Sequence, residues 1–151
     1  MSDLWLIAAL TLVPWIELRG AIPLGVAIGY HPLLVFALSV AVNCLIIVPG
    51  FVALDLFYQR WLSRVPWVHR QVDRVRARGS RYVERHKLLG LAVFVAVPLP
   101  GTGAYSGTLL AWLLGLDRRR AGLAIAAGVA AAGAVVTLAA VGVISFVDSV
   151  R

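Results

Sequence analysis

Four long apolar stretches divide the chain, and two of them are interrupted by polar segments that contain proline and glycine. The stretches cover about residues 4–30, 32–58, 88–116 and 121–147. About 20 apolar residues are enough for a helix to cross a hydrocarbon core of about 30 Å. Of the 151 residues, 61% are apolar and 14% are charged, whereas soluble domains have about 45–50% and about 25%. The sequence therefore predicts an all-α integral membrane protein.

The second and fourth stretches each contain enough apolar residues to cross the membrane and predict single transmembrane helices over residues 32–58 and 119–147. In the last helix Ala124, Gly128 and Ala132 recur at intervals of four residues. Small residues at this spacing let helix backbones approach closely in a membrane. We therefore expect the last helix to pack tightly against the rest of the protein.

The first and third stretches contain breaks at residues 13–25 (VPWIELRGAIPLG) and 97–108 (VPLPGTGAYSGT). A continuous helix here would leave backbone groups without partners where lipid cannot supply them. We therefore predict re-entrant helical hairpins over residues 3–30 and 88–116, each with its apex inside the membrane.

The distribution of basic residues favours hairpins over four spanning helices. If all four stretches crossed the membrane, the basic residues of 59–87 and those of 118–120 would lie on opposite faces, against the positive-inside rule. With two hairpins both clusters lie in the cytoplasm and both termini lie outside. Residues 1–151 then form one membrane domain in which repeat one (1–58) and repeat two (88–151) are inverted relative to each other.

The linker between the repeats, residues 59–87, is strongly basic and carries apolar residues at alternating spacings of four and three. This pattern predicts an amphipathic cytoplasmic helix, and we expect residues 60–87 to bind anionic lipids of the inner leaflet. Nucleic acid is not an expected partner, because both ends of the linker are held at the bilayer.

Glu17 and Arg19 are the charged residues predicted deep in the membrane. Ionisable groups there need a partner or a cavity and are candidates for function. Residues i and i+2 do not face each other on a regular helix, so a direct pair requires a non-helical turn. Arg19 suits an anionic head group, and Glu17 suits proton coupling. The alternative is an ion pair that only stabilises the turn.

The second apex is rich in glycine and hydroxyl groups and has no charge. Its backbone N–H groups could bind an anion at the start of the returning half-helix, or its small residues could simply permit a sharp turn.

We expect Asn43 mainly to hydrogen-bond between helices, with substrate contact as the alternative. The candidate substrate-binding and coupling residues are Glu17, Arg19, Gly20, Asn43, Pro100, Gly101, Thr102, Gly103, Tyr105 and Ser106.

Catalytic chemistry is not indicated by the sequence. The three histidines and single cysteine have no metal-ligand spacing, and no nucleophile lies in a recognisable pattern with a base. We expect no enzymatic activity, no catalytic residues, no bound metal and no cofactor.

Two segments, residues 14–25 (PWIELRGAIPLG) and 98–107 (PLPGTGAYSG), resemble the putative small multidrug export protein family. That family is similar in plan to the DedA superfamily of bacterial membrane proteins. The resemblance covers nearly the whole chain. It implies a prokaryotic cytoplasmic membrane protein with two facing re-entrant hairpins, and it maps the essential acidic and basic residues to Glu17 and Arg19.

DedA proteins are implicated in drug resistance that depends on the proton motive force and in the translocation of polyprenyl-phosphate or phospholipid carriers. The resemblance and the candidate site lead us to expect a proton-coupled transporter, a lipid flippase for a polyprenyl phosphate or phospholipid. The alternatives are a proton-coupled small multidrug exporter and a non-transporting membrane scaffold. Four short segments enclose little cavity, which favours a homodimer.

The hairpin topology is testable by side-specific labelling of single cysteines. In a Cys44→Ala background we would introduce Tyr30→Cys, Gly79→Cys, Arg119→Cys or Val150→Cys. We expect an impermeant thiol reagent to label positions 79 and 119 from the cytoplasmic face and positions 30 and 150 from the outer face. Labelling of positions 79 and 119 from opposite faces would rule out the two-hairpin topology.

Overall fold

The computed structural model describes residues 2–60, 70, 81–99 and 101–150. Within these ranges the structure contains six complete helices and no strand. The predicted linker helix depends on residues 61–69 and 71–80, which lie outside the described residues. The helices are α1 (Ser2–Leu12), α2 (Glu17–Ala27), α3 (Pro32–Arg60), α4 (Arg81–Ala96), α5 (Ala104–Leu113) and α6 (Arg118–Val150).

Helices α3 and α6 are the two long apolar helices of the described chain. The segments Pro32–Arg60 and Arg118–Val147 are long and apolar enough to cross a membrane. At 1.5 Å per residue, 29 residues extend about 43 Å, more than the thickness of the hydrocarbon core. The predicted helices over residues 32–58 and 119–147 are therefore present, each slightly longer than expected.

Each of the other two apolar stretches forms two shorter helices. A first break at residues 13–16 separates α1 from α2, and a second break at residues 97–103 separates α4 from α5. Both breaks are shorter than predicted, because α2 already begins at Glu17 and α5 at Ala104. Pro23 lies inside α2, where it removes one hydrogen-bond donor without ending the helix. The re-entrant arrangement and the inverted repeat remain predictions.

Polar contacts connect the ends of these helices at two separate places. The Tyr30 hydroxyl donates to Asp3 at 3.3 Å and links the start of α1 to the loop after α2. Near the end of α3, Asp55 accepts a hydrogen bond from Trp112 Nε1 at 2.8 Å. Asp55 also forms an ion pair with Arg118, so that α3, α5 and α6 are joined there.

Helix α6 packs closely against α4 at Gly128. A Cβ added to Gly128 would lie 2.6 Å from the Ala92 carbonyl oxygen and 2.8 Å from Val95 Cβ. This contact confirms the tight packing expected from the small residues of the last helix. The largest fully buried apolar side chains form one core to which α1, α2, α3, α4 and α6 contribute, namely Ile7, Leu18, Ile22, Val35, Leu91, Val95, Ile125 and Val129.

The outer surface of the helices is strongly apolar. Trp5, Leu45 and Leu138 are 79%, 75% and 75% exposed, respectively. Apolar surface on this scale is typical of a protein that contacts lipid or another protein rather than water. Together with the two long apolar helices, it is compatible with a membrane protein.

The close contact at Gly128 predicts an unusual response to alanine. Glycine to alanine inside a helix normally favours folding by about 1 kcal/mol. We expect Gly128→Ala instead to destabilise the protein, by about 1–3 kcal/mol, because the methyl group would overlap the backbone of α4. Unfolding of the purified protein in detergent measures this difference. Gly142→Ala is the matched control, because nothing lies within 4 Å of a Cβ at that position; equal stability of the two variants would contradict the prediction.

Candidate functional site

The helix ends beside the two breaks contact each other, and side chains next to one break supply partners for backbone groups at the other. The Tyr105 hydroxyl donates to the Leu12 carbonyl at 2.6 Å. Arg19 Nη2 donates to the Val97 carbonyl at 3.1 Å and to Thr102 Oγ1 at 2.8 Å. Carbonyls released where a helix stops inside an apolar stretch need such partners, because lipid offers none.

Glu17 and Arg19 form a direct ion pair, with 3.2 Å between Arg19 Nη1 and Glu17 Oε2. The Glu17 side chain is 3% exposed and that of Arg19 is 15% exposed. Glu17 has φ of 46°, in the left-handed region, which costs a non-glycine residue about 1–2 kcal/mol. This backbone conformation is the departure from helical geometry that a pair two residues apart requires.

The Glu17 carboxylate also occupies the N-terminus of α5. The backbone N–H groups of Ala104 and Tyr105 donate hydrogen bonds to it. Gly103 provides the space, because a Cβ there would overlap the carboxylate. A helix N-terminus stabilises negative charge through its free N–H groups and its dipole. The helix N-terminus at which one interpretation of the sequence placed a substrate anion is occupied in this structure by the chain's own Glu17.

Arg19 also lines an apolar cavity of about 550 Å³ between α2 and α6. Pro23 lies one turn further along α2, Pro98 comes from the second break, and Val136 and Ile144 come from α6. The Arg19 Nε atom is buried and has no acceptor among the described residues. The site thus combines one guanidinium group, which has a buried and unpaired Nε donor, and an apolar space beside it.

The remaining candidates near the breaks have mainly local roles. Gly20 accommodates the Ile16 side chain, which a Cβ would overlap. Gly101 has φ of 87°, which favours glycine in the turn. The Ser106 hydroxyl donates to the Gly103 carbonyl at 3.2 Å, within its own helical turn. Pro100 lies outside the described residues.

Asn43 is fully buried, but neither its Oδ1 nor its Nδ2 atom has a hydrogen-bond partner among the described residues. The described residues therefore do not supply the interhelical hydrogen bond predicted for Asn43. Val40 and Ile47, on either side of Asn43, contact Gly133 and Gly122 of α6. Between these two glycines α6 contains only alanine, valine, leucine, isoleucine and glycine, so it offers no polar side chain to Asn43.

Two polar features of the site were not foreseen from the sequence. The carbonyl groups of Leu12 and Val97 are acceptors, and residue type gives no signal for them because every residue has a carbonyl. Thr11 and Ser39 are both fully buried, with their hydroxyl oxygens 3.5 Å apart between α1 and α3. The signal in the sequence that could have indicated this contact was a hydroxyl residue on an otherwise apolar face of each helix.

The described part of the chain contains no group of three or more His, Cys, Asp or Glu residues that could hold a metal ion.

The chain matches the model of one known protein family. A family model described as "Putative small multi-drug export protein" matches residues 17–135. The match therefore begins at Glu17 and includes Arg19, the second break and the part of α6 that lines the cavity up to Val135. No curated protein and no solved structure matches the chain.

The contact between Gly103 and Glu17 predicts a coupled pair of substitutions. We expect Gly103→Ala to destabilise the protein by about 1–3 kcal/mol, because the methyl group would displace the Glu17 carboxylate. In a Glu17→Gly background the same change should cost less, since no carboxylate is present to displace. Unfolding of the four proteins in detergent gives the coupling energy.

Gly90→Ala is the control for this experiment, because a Cβ at Gly90 has no neighbour within 4 Å. Additive effects of Gly103→Ala and Glu17→Gly would mean that the carboxylate does not lie against Gly103.

Proposed function

We propose that this chain, which belongs to the putative small multi-drug export protein family, is a transporter that moves amphipathic anions across the membrane with proton coupling. The substrates that fit best are lipids with a single phosphate group, such as a phospholipid or a polyprenyl phosphate. Arg19 binds the phosphate, and Glu17 takes up and releases the proton.

The position of Arg19 at the apolar cavity carries this proposal. A guanidinium group binds phosphate or carboxylate oxygens through two parallel hydrogen bonds. The cavity beside it, about 550 Å³ with α6 as one wall, suits hydrocarbon. An anionic head group joined to an apolar tail satisfies both parts of the site, whereas a small hydrophilic anion would use only Arg19.

The short helices support a re-entrant arrangement of the transport path. Helices α1 and α2 have 11 residues each and α5 has 10, so each is about 15–17 Å long, close to half of a hydrocarbon core. The contacts between the two breaks also fit two hairpins that approach each other near the midplane. This is the arrangement in which inverted-repeat transporters form their substrate sites.

The proposed location is the cytoplasmic membrane of a prokaryote, with residues 60–87 and Arg118 on the inner face and both termini outside. The many basic residues of 60–87 suit the anionic lipids of that leaflet.

We also propose that the protein forms a homodimer. Trp15 and Leu99, in the two breaks, are 82% and 57% exposed, and non-helical backbone at membrane depth needs a protein cover.

Export of hydrophobic cationic drugs is the second candidate, and the family description favours it. A second cavity, of about 510 Å³, lies between α3 and α5 and is lined by Phe57, Tyr105 and Leu109 among others. Its apolar and aromatic walls suit a drug. Arg19, however, neutralises Glu17 at 3.2 Å and would repel a cation, so the site favours the anionic substrate.

Head-group translocation in proteoliposomes tests the proposal. With a proton gradient imposed, we expect Arg19→Gln to slow the movement of fluorescent phosphatidylglycerol by about 10- to 100-fold, because charged hydrogen bonds to the phosphate contribute about 1.5–3 kcal/mol. Arg119→Gln removes the same charge outside the site and should leave the rate unchanged.

Ethidium transport by the same vesicles distinguishes the second candidate. Export of ethidium that depends on Glu17, with no effect of Arg19→Gln on lipid movement, would refute anion transport and favour the drug exporter.

A further inference from the structure

Arg19 has only one negatively charged partner among the described residues, and that partner is Glu17. Its other two acceptors, the Val97 carbonyl and the Thr102 hydroxyl, are neutral. The ion pair is therefore electrically balanced before any substrate arrives. A second anion at Arg19 would leave a net negative charge in an apolar surrounding, where repulsion between like charges is strong.

Glu17 balances two positive groups at once. The carboxylate binds Arg19 on one side and the N-terminus of α5 on the other, through the N–H groups of Ala104 and Tyr105. If Glu17 becomes neutral, both positive groups lose their counter-charge together. The site then changes from balanced to positive without any new cation.

The other charged groups are placed so that they cannot replace Glu17 in this role. Arg19 from α2 and Tyr105 from α5 are the titratable side chains that interact electrostatically with it among the described residues. The charged residues of α3, Asp55 and Arg60, lie near its C-terminal end, where Asp55 pairs with Arg118. In α1 the acidic residue is Asp3, in the first turn.

The backbone at Glu17 supports a change of state. Its φ of 46° is unfavourable for a residue with a side chain, and it occurs together with the contacts of the carboxylate to Arg19 and the start of α5. When those interactions weaken on protonation, the start of α2 can relax to a more common conformation. The Glu17 side chain would then leave the space between Arg19 and Gly103.

We infer that Glu17 and an anionic head group compete for Arg19, so that Arg19 binds the anion only after Glu17 has taken up a proton. This rests on the proposed function, because it assumes that Arg19 is the anion site. One proton from water goes to the Glu17 carboxylate, and one negative charge enters at Arg19. Proton and anion therefore bind together, and the charge of the loaded site equals that of the empty one.

Binding of dioctanoyl phosphatidylglycerol to the purified full-length protein in detergent tests this competition. Its phosphodiester keeps one negative charge between about pH 5 and about pH 8, so any pH dependence comes from the protein. For the wild type we expect the affinity to rise as pH falls, by up to about tenfold per pH unit where Glu17 titrates. Dioctanoyl phosphatidylcholine, whose head group is neutral overall, should show much weaker pH dependence.

The variants separate the possible results. Glu17→Gln should bind phosphatidylglycerol at high pH at least as tightly as the wild type does at low pH, with no pH dependence. Glu17→Gly should bind phosphatidylglycerol in the same way as Glu17→Gln. It is the substitute variant if Glu17→Gln folds poorly, because glycine adopts the left-handed backbone at this position readily. Arg19→Gln should lose at least tenfold in affinity at low pH, where Glu17 of the wild type is protonated, and should lose less at high pH.

Weaker binding by both Glu17 variants, or an unchanged pH dependence in them, would overturn the competition while leaving Arg19 as the anion site. Equal pH dependence with phosphatidylcholine would also overturn it. Unchanged binding and transport in Arg19→Gln would instead refute the proposed function itself.

Discussion

Helices that stop inside an apolar stretch leave N–H and carbonyl groups that need partners, and neither lipid nor a dry core supplies them. In this protein each break is completed by the other. Tyr105 donates to the Leu12 carbonyl, Arg19 donates to the Val97 carbonyl, and Glu17 accepts from the start of α5. These polar contacts join α2 to α5, and both helices also pack against α3 and α6.

The same contacts make the Glu17–Arg19 pair both structural and available for function. Removing one member of a buried ion pair typically costs about 3–5 kcal/mol, because the other charge is left without compensation. Here Glu17 has further partners in the N–H groups of α5, and Arg19 has two neutral acceptors. A pair supported in this way can stabilise the fold in one state and release its arginine in another, so the two interpretations of the pair are compatible.

Several parts of the fold followed from the sequence because they depend on local composition. Apolar length predicted α3 and α6, and proline with glycine predicted that the other two stretches are broken. The limits of the breaks were too wide, since Pro23 and Tyr105 lie inside helices. A proline removes only one donor, and packing of the buried face of α2 offsets that loss. Asn43 was assigned a partner that the small apolar residues of α6 do not provide.

The sequence by itself determined that the chain is a helical membrane protein and that two of its four apolar stretches are broken. It also determined that Glu17 and Arg19 lie within the first broken stretch. These properties follow from apolar length, from proline and from charge, which act over a few residues. Only the tertiary structure decided that Glu17 occupies the N-terminus of α5 against Gly103 and that Arg19 faces an apolar cavity beside α6. Those contacts join segments far apart in the chain, and a helix end attracts an anion without specifying which one.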